Sequence, residues 1–106
     1  MKSIKQLLIQ SSIPLHLCDS LEKYIVEKVP PGGFLQHVLI NDLKGAITRA
    51  DHTSTNRLKD IVITLDQIAP RDCWGSKESV CRWISPEYAG RLEFVNEAEY
   101  KQFTNR

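Results

Sequence analysis

Residues 34–50, FLQHVLINDLKGAITRA, constrain the fold more than any other part of the chain. Stepped at 100° per residue, Phe34, Leu35, Val38, Leu39, Leu43, Ala46, Ile47 and Ala50 fall on one broad apolar arc, with Ile40 at its margin. His37, Asn41, Lys44, Thr48 and Asp51 fall on the opposite side. An arc this wide predicts one central helix over about 34–50 that touches neighbours on more than one side. Asp42 and Arg49 interrupt it: they are nearly eclipsed after two turns, about 10.5 Å apart along the axis. An Arg side chain folding back spans that rise. The two therefore read either as an internal ion pair orienting the helix or as the polar lining of a pocket. Gly45, between them, costs roughly 1 kcal/mol of helix propensity relative to Ala, which predicts a close packing partner there.

The rest of the chain reads as shorter helices. Ile4, Leu7 and Leu8 give a first amphipathic turn, closed by Ser11-Ser12-Ile13-Pro14. Asp19 and Glu22 have capping-box spacing and predict a second helix from Asp19, stopped at Pro30-Pro31. Thr53, Ser54 or Thr55 caps a helix whose stripe is Leu58, Ile61, Val62, Leu65, Ile68 and Ala69, with Ile63 off the stripe and Pro70 as its end. Ser76 caps a short helix bearing Val80, Trp83 and Ile84. Ser85-Pro86 and Asn96-Glu-Ala-Glu99 are two more helix starts. Residues 91–95 read as helical or as a short extended piece. The expected fold is all-α, one domain over 1–106, a bundle of about four to six short helices.

Composition sets the outer bounds. With 42% hydrophobic and 25% charged residues, the 106-residue chain has enough apolar surface to offset the entropy of ordering. No apolar run approaches the roughly 18 residues that span a bilayer, so no membrane partner is expected. The first residues are too polar for a signal peptide, which points to the cytoplasm. Three cysteines without a Cys-x-x-Cys pair argue for packed, reduced thiols. His16-x-Cys18 lacks further ligands at a usual spacing, so no metal or other cofactor is expected. Catalytic triad, nucleophile-elbow and zinc-protease motifs are absent, and the chain reads as a non-enzyme. Lys44, Arg49, Arg57, Lys59 and Arg71 are interleaved with Asp42, Asp51, Asp60, Asp66 and Asp72, a poor basis for nucleic-acid binding.

Three places carry candidate binding chemistry. Pro30-Pro31-Gly32-Gly33-Phe34 leaves amides uncovered at a helix start, suited to an anion, or else makes a sharp corner. Asp42 and Arg49 form the second. The third concentrates both tryptophans: Trp74-Gly75-Ser76, then Arg82 beside Trp83, where an aromatic and a guanidinium can stack on a ligand or close the core.

The motif PPGGFLQHVLINDLKGAITRAD, followed by CWGS, resembles a group of small hypothetical proteins of bacteriophages, prophages and related mobile elements. The matching positions are Pro31, Gly32, Gly33, Phe34, Leu35, Val38, Leu39, Asn41, Asp42, Leu43, Ala46, Ala50, Asp51, Trp74, Gly75 and Ser76. The resemblance runs from about Leu21 to Trp83. It implies a phage-like setting in a host cell's cytoplasm and no specific mechanism. The leading expectation is a small non-catalytic binding protein that interferes with host function. One version is an anti-defence protein that sequesters a host-derived anionic, nucleotide-like ligand, with Gly32, Gly33, Phe34, Asp42, Arg49, Trp74, Ser76 and Arg82 as its site. The alternatives are an inhibitor or adaptor docking on a host protein, and a small DNA-associated transcriptional regulator. Homo-oligomerisation is slightly favoured, because a small core gains stability by association.

Overall fold

Prolines and left-handed residues cut the chain into short helices, and a computed structural model describes their arrangement over residues 4–10 and 13–104. The expected break at Ser11-Ser12 lies outside the described residues. Among the described residues, eight α-helices follow in order: α1 (Ile4–Gln10), α2 (Leu15–Glu22), α3 (Gly33–Leu39), α4 (Leu43–Arg49), α5 (His52–Asn56), α6 (Leu58–Ile68), α7 (Lys77–Trp83) and α8 (Glu97–Thr104). A π-helical turn (Lys23–Glu27) extends α2, and 3-10 turns cover Arg71–Cys73 and Pro86–Arg91. There is no strand among the described residues, so the fold is all-α, in more and shorter pieces than the four to six expected. Residues 91–95 leave the second 3-10 turn at Leu92 in extended backbone, without a ladder.

The central helix over 34–50 is two helices. The α3 helix ends in a Schellman motif: the Asn41 amide donates to the Val38 carbonyl at 3.1 Å and the Asp42 amide to the His37 carbonyl at 2.8 Å. Asn41 occupies the left-handed region at φ 66°, which its short polar side chain tolerates. Asp42 then caps α4, its side chain accepting the Gly45 amide at 3.0 Å. Asn-Asp is thus a stop followed by a start. The chain turns back, α4 packs against α3, and Leu43 and Ile47, expected inside, face outward at 63% and 45% exposure.

Two other expected starts move. The second helix begins at Leu15, directly after Pro14, with Asp19 in its interior. Proline is well suited to precede a first turn, whose amides need no internal partner. Thr53, Ser54 and Thr55, the expected caps of the stripe over 58–69, lie inside the separate helix α5, which Asp51 caps by accepting the Ser54 amide at 2.7 Å. The α6 helix starts after Arg57 with no side-chain cap. By contrast, Ser76 accepts the Ser79 amide and Asn96 the Glu99 amide at the expected caps.

The core lies between α2, α3, α6 and α7 and contains Leu21, Tyr24, Leu35, Leu39, Ile61, Leu65, Val80 and Ile84, with all three cysteines. Tyr24 ties distant segments together. Its hydroxyl donates to the Cys73 carbonyl at 2.5 Å, and its own carbonyl accepts the Trp83 indole N–H at 2.8 Å. Burial raises the Tyr24 pKa far above its ordinary value, so the phenol stays a donor. Lys28 ends the π-turn at φ 63° and places its ammonium 4.4 Å from the Trp83 ring. Burial also raises the Cys73 and Cys81 thiols to about 11.

The helix break is testable at Asn41. In a continuous helix Asn41→Ala would stabilise by up to roughly 0.7 kcal/mol through propensity. Here it loses about 1 kcal/mol in the left-handed region, whereas Asn41→Gly is near neutral. Urea unfolding of the two variants should rank Gly above Ala.

Candidate functional site

The polar groups that the break brings together form a chain across α3 and α4. His37, buried in α3, has a carboxylate oxygen at each ring nitrogen: Asp42 Oδ2 at 2.8 Å from Nδ1 and Glu93 Oε1 at 3.3 Å from Nε2. Arg49, in the last turn of α4, donates from Nε to the same Glu93 oxygen at 2.5 Å. Its Nη1 donates to the Gly45 carbonyl at 3.2 Å. The order Asp42, His37, Glu93, Arg49 therefore sets a carboxylate at each side of the imidazole and a guanidinium at the far end. Arg49 takes its ion pair from Glu93, so the expected direct Asp42–Arg49 bridge is replaced by a route through two residues that the sequence did not single out.

Two glycines let this chain lie against the backbone. A Cβ on Gly45 would collide with the Asp42 carboxylate and would lie 2.6 Å from His37 Nδ1. A Cβ on Gly33 would come within 2.6 Å of Glu93 Oε1. Gly45 thus has the close packing partner that its helix-propensity cost implied. The Glu93 carboxylate lies over Gly33, beside the helix start that reads as suited to an anion or as a sharp corner. Buried Gln36 places that side chain: its Nε2 donates to the Pro31 and Arg91 carbonyls at 2.9 and 3.0 Å, and its Oε1 accepts the Glu93 amide at 2.9 Å. Every polar atom of this buried amide group has a partner, as burial demands.

The Gly45 amide, and then the His37 ring, hold the Asp42 carboxyl below the ordinary aspartate range, with Arg49 acting in the same direction. Asp51 is lowered in the same way by the Ser54 amide and then the Ser54 side chain.

The other candidate residues lie elsewhere. Gly32 caps α3 and Phe34 packs on the core edge. Trp74 is half-buried against the core, and Gly75, at φ 110°, donates its amide to the Leu39 carbonyl at 2.6 Å. Ser76 is a helix cap. Arg82 pairs with Glu78 at 2.8 Å and donates to the Phe103 carbonyl at 2.9 Å, beside a shallow depression it shares with Asp72, Ser79 and Trp83. Gly33, Asp42 and Arg49 are brought together; Trp74, Ser76 and Arg82 are not part of that cluster.

A separate surface escapes a reading that assigns every apolar helical stripe to the core. On α6, Val62 and Ile63 are exposed at 40% and 44%, and Val62 shares a small depression with Leu43 of α4. Leu43 and Val62 border that depression, Ile47 lies one turn along α4 from Leu43, and Ile63 is the exposed neighbour of Val62 on α6. Among the described residues no three His, Cys, Asp or Glu side chains gather as metal ligands, and no helix is long and apolar enough to cross a membrane. No family model, curated protein or solved structure matches the chain.

The two glycines and the lowered aspartate yield distinct outcomes. Gly45→Ala should cost roughly 1–3 kcal/mol by forcing the Asp42–His37 pair off the helix, as overpacking does; chemical unfolding measures it. Asp42 has a folded pKa below its unfolded value, so its charge stabilises the fold above the ordinary value of about 3.9 and ceases to do so as pH falls through the lowered one. Asp42→Asn keeps a capping oxygen. Wild type should be more stable than this variant near neutral pH, and their stabilities should converge in acid-unfolding curves as pH falls through the lowered Asp42 pKa.

Proposed function

We propose that the chain is a small non-catalytic binding protein that works by protein–protein contact through the α4–α6 face. In the phage-like setting its motif resembles, the protein engaged is one of the host cell's, met in the cytoplasm, and the outcome is interference with host function. The observation that carries this reading is the exposure of Leu43 and Ile47 on α4 and of Val62 and Ile63 on α6, with Leu43 and Val62 bordering one depression. Adjacent exposed apolar side chains of this size mark interaction surfaces more often than isolated ones do.

Charge supports the same choice over a nucleotide-like ligand. Arg49 is paired with Glu93 and Arg82 with Glu78, so each guanidinium offered to an anion already has a carboxylate. Asp42 adds negative charge beside the first of them, which repels a phosphate. A DNA-associated role gains nothing from this arrangement, because binding a nucleic-acid backbone needs a concentrated positive face.

The test uses α4 alone. Leu43→Glu and Ile47→Glu alter exposed positions and should leave the helical circular dichroism intact. Wild-type protein immobilised in bacterial lysate should retain one host protein in stoichiometric amount, and each variant should retain at least about tenfold less, the scale of a lost hot-spot residue. Equal retention by the variants, or none by wild type, overturns the reading. Calorimetric binding of a nucleotide that is lost in Arg82→Ala overturns it in favour of an anionic ligand.

A further inference from the structure

The exposed side of α6 carries an ordered pattern. Ile61, Thr64 and Leu65 face the core, while Lys59, Val62, Ile63 and Asp66 face solvent. These four lie at spacings of three and four, which places them on one strip of the helix. A cation stands at its N-terminal end, two β-branched apolar residues at its centre and an anion at its C-terminal end. Neither charge has an ion pair among the described residues; the nearby Arg57–Asp60 pair, at 3.6 Å, lies to one side.

The strip is complementary to itself when reversed. An antiparallel copy of α6, placed across a two-fold axis between Val62 and Ile63, sets residue 59 opposite residue 66 and residue 62 opposite residue 63. Lys59 of each chain then meets Asp66 of the other, and the apolar pair meets its own image. The rise from residue 59 to residue 66 is about 10.5 Å, which centres the two bridges about 5 Å to either side of the axis. A two-fold interface requires that one patch match its own inverse, and a strip of one sign would fail this condition.

We propose that a second copy of this chain covers the face, with α6 antiparallel to α6 and Leu43 and Ile47 of α4 flanking the seam. Lys59–Asp66 pairs set the register, since charge placement selects partner and orientation more than it adds affinity. The proposal rests on reading the α4–α6 face as a contact surface and names its resting occupant. A host protein that docks there exchanges with the second copy.

Charge exchange at the two ends tests the register. Sedimentation of the wild-type chain should show a concentration-dependent monomer–dimer equilibrium. Lys59→Asp sets carboxylate against carboxylate at both ends of the seam, and Asp66→Lys sets ammonium against ammonium. Each single variant should weaken the dimer about tenfold or more, because two attractive contacts become repulsive. An equimolar mixture of the two variants pairs opposite charges again and should recover dimer. Unchanged circular dichroism and unfolding midpoints confirm that both variants fold, as substitutions of exposed side chains allow.

A wild-type chain that remains monomeric up to about 1 mM overturns the proposal, since that ceiling corresponds to only about −4 kcal/mol of association. So does a dimer indifferent to both single variants, or a mixture that fails to recover. Host-protein retention distinguishes this failure from failure of the functional reading. If the chain is monomeric yet Leu43→Glu abolishes retention, only the dimer is wrong. If the charge-swap mixture recovers dimer yet Leu43→Glu leaves retention intact, the dimer stands and the functional reading falls.

Discussion

The close approach of a charged cluster to two bare glycine backbones organises this protein. Gly33 and Gly45 lack the Cβ atoms that would hold Glu93 and Asp42 away, so both carboxylates reach His37 from opposite sides. With Arg49 closing the chain at Glu93, α3, α4 and the extended segment after Arg91 are fastened at one place. Every hydrogen bond in the chain has a charged or ionisable member, which makes it stronger than a bond between neutral groups. Partial exposure of Asp42, Glu93 and Arg49 limits that gain through solvent screening. The cluster therefore sets geometry first and contributes modest stability.

That geometry explains the unusual surface of α4. Continuing straight from α3, residues 43 and 47 would have followed the apolar arc into the core. The Schellman turn at Asn41 and the Asp42 cap instead swing α4 back, and its two largest apolar side chains rotate outward. A neighbouring exposed strip on α6 completes the face. The core is left to α2, α3, α6 and α7, where Tyr24 joins the π-turn to the Cys73 loop and to Trp83. One fastening is mostly ionic and near the surface; the other is neutral and buried.

Much of the fold was legible in the sequence because local chemistry determines it. Ser76 and Asn96 cap where their side chains indicate, Pro86 opens a 3-10 turn, and Pro70 follows the end of α6. The break inside residues 34–50 was legible in principle. Asn tolerates the left-handed backbone and Asp is a preferred cap, so Asn41-Asp42 with Gly45 three residues on carries a stop and a start. A 3.6-residue period masks it, since the residues after the interruption still fit the apolar arc on paper although Leu43 and Ile47 face outward in the fold. Asp19 misled for the opposite reason: a good capping residue inside a helix is still compatible with that helix. His37, Gln36 and Glu93 could not have been grouped at all. More than fifty residues separate Glu93 from His37 and Gln36, and no local pattern encodes that contact. Gly33, Asp42 and Arg49 were identified, but the company they keep was not.

The three cysteines give the molecule a built-in gauge of its own breathing. All are reduced and sealed in the core, and burial holds Cys73 and Cys81 at about 11, where thiolate is scarce at neutral pH. An alkylating reagent must wait for the structure to open before it reacts. Cys73 sits beneath the Tyr24 tether and Cys81 inside α7, so their relative labelling rates would separate local loosening of that tether from opening of the whole domain.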